Sequence, residues 1–353
     1  MTSTPVLDDP TPVGFGTSTS DYLGDLGRLM TPSLSPPPPG TSPGVVSSLP
    51  TFSTTAPVVF GSGPGVAPTV SVQTSGSSSI TFAPYPATFL GGIQVALSSD
   101  TGGQLEIATA PGPGGGPDVK LFNQAGDQQA SLMAYDSGFT GGVYVALADV
   151  NPGEPPDIIT GAGAGGGPEI RVFSGITLQP LTSFYAFGSA FRGGVRVAVT
   201  VNQSVPGLFE IVASAGPGGG PEVRVFDLQG DLLQSFFAYA PSFTGGVFVA
   251  AGDTTGIGVD DIITSPGVGG GPEIRGFAPN GQVVQDYFAF PSSDRNGAVV
   301  GASSPAEIIA ATGAGESLSI EVSNFTNSSV SASPLDPTSQ TGLSVAGLSA
   351  GSA

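Results

Sequence analysis

Polar and apolar residues alternate in short bursts along this chain, and the bursts recur about every fifty residues. Glu169-Ile170-Arg171-Val172-Phe173, Glu222-Val223-Arg224-Val225-Phe226 and Asp118-Val119-Lys120-Leu121-Phe122 show the period of two that marks a half-buried strand. A turn follows, Gln229-Gly230-Asp231 in one copy and Asn280-Gly281 in another. Asn-Gly accepts positive φ at both central positions of a hairpin, so the next run predicts a paired strand. That run is aromatic: Phe184-Tyr185-Ala186-Phe187, Phe236-Phe237-Ala238-Tyr239 and Tyr287-Phe288-Ala289-Phe290. A Phe-x-Gly-Gly signal opens a third run, as in Phe139-Thr140-Gly141-Gly142-Val143-Tyr144-Val145-Ala146, and returns at Phe89, Phe191 and Phe243. A variable acidic loop leads to the fourth, Asp157-Ile158-Ile159-Thr160 or Asp261-Ile262-Ile263-Thr264. Runs this short, with Gly and Pro at every junction, are strands and not helices.

The fourth run feeds a glycine block, most clearly Gly161-Ala162-Gly163-Ala164-Gly165-Gly166-Gly167-Pro168. Related blocks end at Pro117, Pro168, Pro221 and Pro272, spaced 51, 53 and 51 residues apart, with a weaker copy before Pro68 and a decayed one from Thr312 to Val322. Four antiparallel strands in about fifty residues correspond to one blade of a β-propeller, whose repeats run roughly 40–50 residues. The expected fold is therefore all-β, a propeller of six blades with four antiparallel strands each and a period of about 51 residues. A parallel β-helix is the structural rival, but its short coils do not produce hairpin turns at this spacing. The first unit lacks one strand, and two segments could supply it. Gly44-Val45-Val46 lies upstream; Gly342-Leu343-Ser344-Val345-Ala346 lies downstream and has the better apolar alternation, which favours closure by the C-terminal end.

Composition narrows the roles. Lys plus Arg number 8 against 27 acidic residues, a net charge of −19, which opposes nucleic acid and anionic membranes as partners because both need a basic patch. The chain has no Cys and no His, so there is no disulfide framework, and the commonest bases, nucleophiles and transition-metal ligands are missing. No apolar stretch is long enough to span a membrane. Residues 1–43 are rich in Ser, Thr and Pro, with Pro36 to Pro39 in a row, and read as a disordered, extended tail. The propeller is expected over 44–336, and 337–353 as a flexible tail that could supply the ring-closing strand. Met1 to Pro10 shows no secretory signal. Tyr22, Leu23, Leu26, Leu29 and Met30 could form one face of a short docking helix within the tail.

Gly161-x-Gly163-x-x-Gly166 formally fits a dinucleotide fingerprint, but no helix follows and the string recurs around the chain. A crowded turn between strands, needing residues without Cβ, is the better reading. Asp118, Glu169, Glu222 and Glu273 each stand two positions from Lys120, Arg171, Arg224 or Arg275, on one strand face, which suggests a charged ladder and not an active site. The expectation is that the chain is not an enzyme. Its aromatic runs are expected to pack blade against blade.

Gly-Gly-Val-x-Val-Ala, Asp-Ile-Ile-Thr and the glycine block, repeated over roughly 57–330, resemble the FG-GAP (integrin-alpha-like) propeller repeats of bacterial surface and secreted proteins. In that family the loop before the fourth run holds calcium, an ion that takes about 6–8 oxygen ligands. The resemblance implies calcium ligands at Asp149, Asn151 and Asp157 in one loop and at Asp253 and Asp261 in another. Both loops are eroded, with Gly153 in one and Thr255 and Ile257 in the other where further oxygens are expected. It also implies a monomeric, extracellular or cell-surface module for adhesion or protein–protein contact, with a protein or glycan partner. A carbohydrate-binding or carbohydrate-active propeller and an intracellular scaffold tethered by the N-terminal tail are the alternatives.

Overall fold

The structure, a computed structural model, describes residues 56–347 apart from 75–78, 100–102, 149–154, 202–207, 256–257, 304–306, 316–317, 324–332 and 337–342. The described residues are all-β, with 24 strands in six four-stranded sheets. In chain order β1–β3 are Val58–Ser62, Val70–Gln73 and Ser79–Phe82; β4–β7 are Ile93–Ser99, Leu105–Pro111, Asp118–Asn123 and Gln128–Met133; β8–β11 are Val143–Ala148, Asp157–Ala162, Glu169–Phe173 and Pro180–Tyr185. Then β12–β15 are Val195–Val201, Phe209–Ala215, Glu222–Phe226 and Leu232–Phe237, and β16–β19 are Val247–Gly252, Asp261–Pro266, Glu273–Phe277 and Val283–Phe288. Finally β20–β23 are Ala298–Ser303, Glu307–Thr312, Leu318–Ser323 and Ser333–Asp336, and β24 is Leu343–Gly347. Each set forms one blade, numbered 1 to 6, and every strand pair is antiparallel. The protein is a six-bladed β-propeller.

Blade 1 takes its innermost strand from the far end of the chain. β24 pairs with β1, Val58 opposite Gly347 and Ser62 opposite Leu343. Gly44-Val45-Val46, the other candidate for this strand, lies outside the described residues.

The apolar core is distributed over six seams between neighbouring blades. At one seam Val119 and Leu121 of blade 2 meet Val143 and Ile158 of blade 3; at the closing seam Ile309 and Ile320 of blade 6 meet Phe60 of blade 1 and Val345. The glycine block explains how the blades come this close. A Cβ on Gly163 would lie 2.2 Å from the carbonyl oxygen of Gly141, and Gly142, at φ +81°, would bring one within 2.6 Å of the Gly112 backbone in the preceding blade. Only glycine meets both demands. Gly165 N–H then donates to Arg192 O at 2.8 Å, and Gly114, Gly218 and Gly269 make the same bond to Thr140, Thr244 and Arg295. The block is a crowded turn that ties each blade to the next.

Candidate functional site

The Glu-x-Arg pairs of the third strands are ion pairs with a second job. Arg171 Nε reaches Glu169 Oε1 at 2.8 Å, Arg224 reaches Glu222 at 2.9 Å and Arg275 reaches Glu273 at 2.8 Å. Each guanidinium also donates to a carbonyl of the preceding blade, Ala134, Ala186 or Ala238, and lies about 5 Å over an aromatic ring there, Tyr135, Phe187 or Tyr239, within cation–π range. Lys120 does the same to Pro84 and Tyr85, but its pair with Asp118 is looser, at 3.8 Å. Burial raises the Asp118 carboxyl above its usual range despite Lys120. Burial also works against the Glu222 carboxylate, yet hydrogen bonds from Arg224 and Ser235 outweigh it and hold the group below its ordinary value.

Tyrosines button the seams, a role that the residue pattern had not exposed. The Tyr135 hydroxyl donates to Glu169 O at 2.9 Å and accepts from Thr160 Oγ1; Tyr239 repeats this with Glu273 and Thr264, and Tyr85 with Asp118 and Thr109. The signal available in sequence is a Tyr after Ala, or after Pro84 in blade 1, with a Thr about 25 residues on. Burial pushes all three phenols well above their ordinary value, so they stay neutral donors.

One aromatic of each run departs from the packing expectation. Phe184 and Phe236 do pack, with tilted rings, against Phe226 and Phe277 of the next blade, at centroid distances of 5.0 and 4.7 Å. Strand alternation turns their neighbours the other way, and Tyr185, Phe237 and Phe288 are more than half exposed at 56%, 56% and 54%. Met133 occupies the equivalent place in blade 2, at 58%. Each stands directly across the outer strand pair from the acid of the pair just described: Met133 from Asp118, Tyr185 from Glu169, Phe237 from Glu222 and Phe288 from Glu273. Leu181, Leu232, Leu233 and Val283 widen the exposed apolar surface on the same outer strands. The rim of blades 2 to 5 therefore repeats one unit, an exposed large apolar side chain beside an acid–base pair.

The calcium ligands that the resemblance implies belong to two loops, in blades 3 and 5. Asp149 and Asn151 lie outside the described residues. Asp157, in blade 3, is buried, and its Oδ1 accepts from Gly175 N at 2.8 Å, bracing the β10–β11 turn. Asp253 and Asp261 do come together in blade 5, joined by Asp260, which the motif had not singled out. Asp253 Oδ2 accepts from Gly258 N at 2.7 Å, Asp261 Oδ2 from Thr254 Oγ1 at 2.5 Å, and Asp260 Oδ2 from Val201 N of blade 4 at 3.2 Å. Burial, with Asp253 and Asp261 adding repulsion, pushes the Asp260 carboxyl up to about 6, against the opposing hydrogen bond from Val201. Burial likewise raises Asp261. Among the described residues no three acidic groups are arranged to hold one metal ion. In the blade 5 loop one oxygen of each carboxylate accepts from a protein donor.

The inner strands line a central cavity of about 120 Å³. One ring of side chains follows the entry glycines: Gln94, Tyr144, Arg196, Phe248, Val299 and Ser344. Small residues, among them Ala96, Ala146, Ala198 and Gly301, also line the cavity.

A scan of protein-family models finds no match, and a search of curated proteins finds none either. Solved structures do match. A protein of unknown function from Bacteroides caccae is 8% identical, with 83% of this chain and 99% of that one covered and a TM-score of 0.51. The beta-propeller domain of Cps50 (Swd1) from Myceliophteria thermophila is 12% identical over 81% and 88%, TM-score 0.49. A putative 6-phosphogluconolactonase from Bacteroides fragilis is 13% identical over 80% and 82%, TM-score 0.48. These likenesses show the propeller fold alone. The last of them corrects the expectation that the chain is not an enzyme. A putative 6-phosphogluconolactonase has a propeller fold, and a lack of His and Cys leaves carboxylate, tyrosine and arginine chemistry open. No reaction is thereby assigned.

Proposed function

We propose that the chain is a protein-interaction propeller whose contact surface is the outer rim of blades 2 to 5. The observation that carries this is the row formed by Met133, Tyr185, Phe237 and Phe288, each more than half exposed beside an acid–base pair. Large exposed apolar groups rimmed by charge mark interaction surfaces, and aromatic and arginine side chains dominate binding energy where such surfaces dock. Four copies in an arc suit a partner that engages several blades at once. The extracellular or cell-surface setting, the adhesive role and the monomeric state rest on the resemblance of the repeat to integrin-alpha-like units.

Replacing Tyr185, Phe237 and Phe288 with Ser together is expected to abolish retention of the partners that the wild-type chain captures and crosslinks. Thermal unfolding should stay within a few degrees, since surface positions contribute little to stability. An unchanged set of crosslinked partners sinks the rim as the contact surface. Calcium belongs to this reading through the Asp149 loop, with Asn151 and Asp157. A ligand bound only by the folded state raises the unfolding midpoint, so millimolar calcium should raise it above the value in chelator, and Asp149→Ala should remove the difference. Equal midpoints in calcium and chelator would remove calcium from the reading.

A further inference from the structure

Arg196 is the one charged side chain carried by the six innermost strands. It is only 6% exposed, lines the central cavity, and takes part in none of the ion pairs among the described residues. Nη1 donates to Val247 O at 2.9 Å and more weakly to Ala215 O at 3.4 Å, and the guanidinium lies 3.8 Å from the Phe248 ring centroid. Tyr144 approaches from the other side, 5.5 Å from ring centroid to guanidinium carbon. Nε is buried and has no hydrogen-bond partner.

A guanidinium cannot escape burial by losing its proton. Carbonyl dipoles and a ring face offset part of the desolvation cost, but a buried charge without a counterion remains expensive. The basic residues of the third strands, Lys120, Arg171, Arg224 and Arg275, each have an acid two positions away; Arg196, on an innermost strand, has Gln94, Tyr144, Phe248 and Ser344 around the ring instead. No packing requirement of the repeat calls for it, because the equivalent positions in other blades carry Gln, Tyr, Phe, Val and Ser.

We infer that the channel is a binding site for a small organic carboxylate, with Arg196 as its counterion. The carboxylate accepts from the guanidinium, a charge-assisted and geometrically matched contact. Its apolar body lies against Tyr144 and Phe248, and Gln94 offers a neutral polar contact in the same ring. A cavity of about 120 Å³ limits the ligand to a small molecule. The aromatic flank favours a carboxylate with an apolar body over inorganic phosphate. The site is separate from the rim, so either proposal can fail alone.

Benzoate and inorganic phosphate are the probes, titrated into the full chain at constant ionic strength by calorimetry and thermal unfolding. Benzoate is expected to bind saturably and raise the midpoint by several degrees, and phosphate to bind at least tenfold more weakly. Arg196→Met should lose the benzoate response while unfolding at an equal or higher temperature without ligand, because an unpaired buried charge has been removed. Tyr144→Ala, at a partly exposed position, keeps Arg196 and should weaken benzoate at least tenfold. If neither probe binds at 10 mM (about the weakest useful affinity for so small a ligand), the proposal fails. It also fails if both variants respond to benzoate as the wild type does, or if phosphate binds the more tightly.

Discussion

A chain ending at Gly342, without β24, should lose cooperative unfolding or unfold at a far lower temperature. The pairing of Leu343–Gly347 with Val58–Ser62 joins residues more than 280 positions apart and is the contact through which the two ends of the described chain meet. Leu343 and Val345 are buried at the closing seam with Phe60 and Ile309. Burying each is worth roughly 1.5–3 kcal/mol. Removing the strand also exposes the inner edge of β1 and opens blade 1 to water, so the total loss should reach about 5 kcal/mol or more, comparable to the whole stability of many domains. Thermal and denaturant unfolding of the truncated chain measure it. A midpoint within a few degrees of the intact chain would mean that the ring does not need closing. Adding the missing segment as a free peptide should restore part of the loss, since strand pairing does not require covalent linkage.

Stability should fall as pH rises from 5 to 8, and Glu321 should account for much of the change. Glu321 stands where other blades carry Lys120, Arg171, Arg224 or Arg275. It has no exposed surface, neither carboxylate oxygen has a hydrogen-bond partner, and burial pushes its carboxyl from 4.5 up to about 7. The sign follows from linkage. Below about 4.5 the group is neutral in both states and costs nothing; above that the unfolded chain ionises first, and stability falls until the folded group ionises near 7. Between pH 5 and 8 this amounts to about 2–3 kcal/mol. Asp260, raised to about 6, contributes in the same direction. Glu321→Gln should therefore gain about 2–3 kcal/mol on the wild type over that pH interval, whatever its stability at pH 5. A gap between the two proteins that stays constant with pH would refute the buried, protonated carboxyl. Ser319→Glu with Glu321→Arg, which rebuilds the acid–base pair of the other blades, should remove the dependence as well.

Most of the fold was legible because each blade is encoded locally. The alternation in Glu169 to Phe173, the turn at Asn280-Gly281 and the glycines before Pro168 each specify a strand, a hairpin or a crowded turn within a few residues. Repetition then multiplies the signal. The site was far less legible. The eroded Asp149 and Asp253 loops stand out only through a resemblance, and nothing in the repeat points to Asp260, which joins Asp253 and Asp261 in blade 5. The packing expected of the aromatic runs holds for Phe184 and Phe236 but not for Tyr185, Phe237 and Phe288. Period-two alternation shows that neighbours face opposite ways, not which face ends at the rim.

The sequence by itself determined the strands, their antiparallel hairpins, the blade count and the need for glycine at the seams, because these depend on local backbone geometry and on a period repeated across the chain. Only the tertiary structure decided that Arg196 would be buried in a ring of uncharged side chains, that Glu321 would lie unpartnered at a seam, and that four exposed side chains would align along one rim. Those outcomes depend on residues about fifty or more positions apart meeting across blades, and a charge or a ring acquires its energy from such neighbours and not from its own place in the repeat.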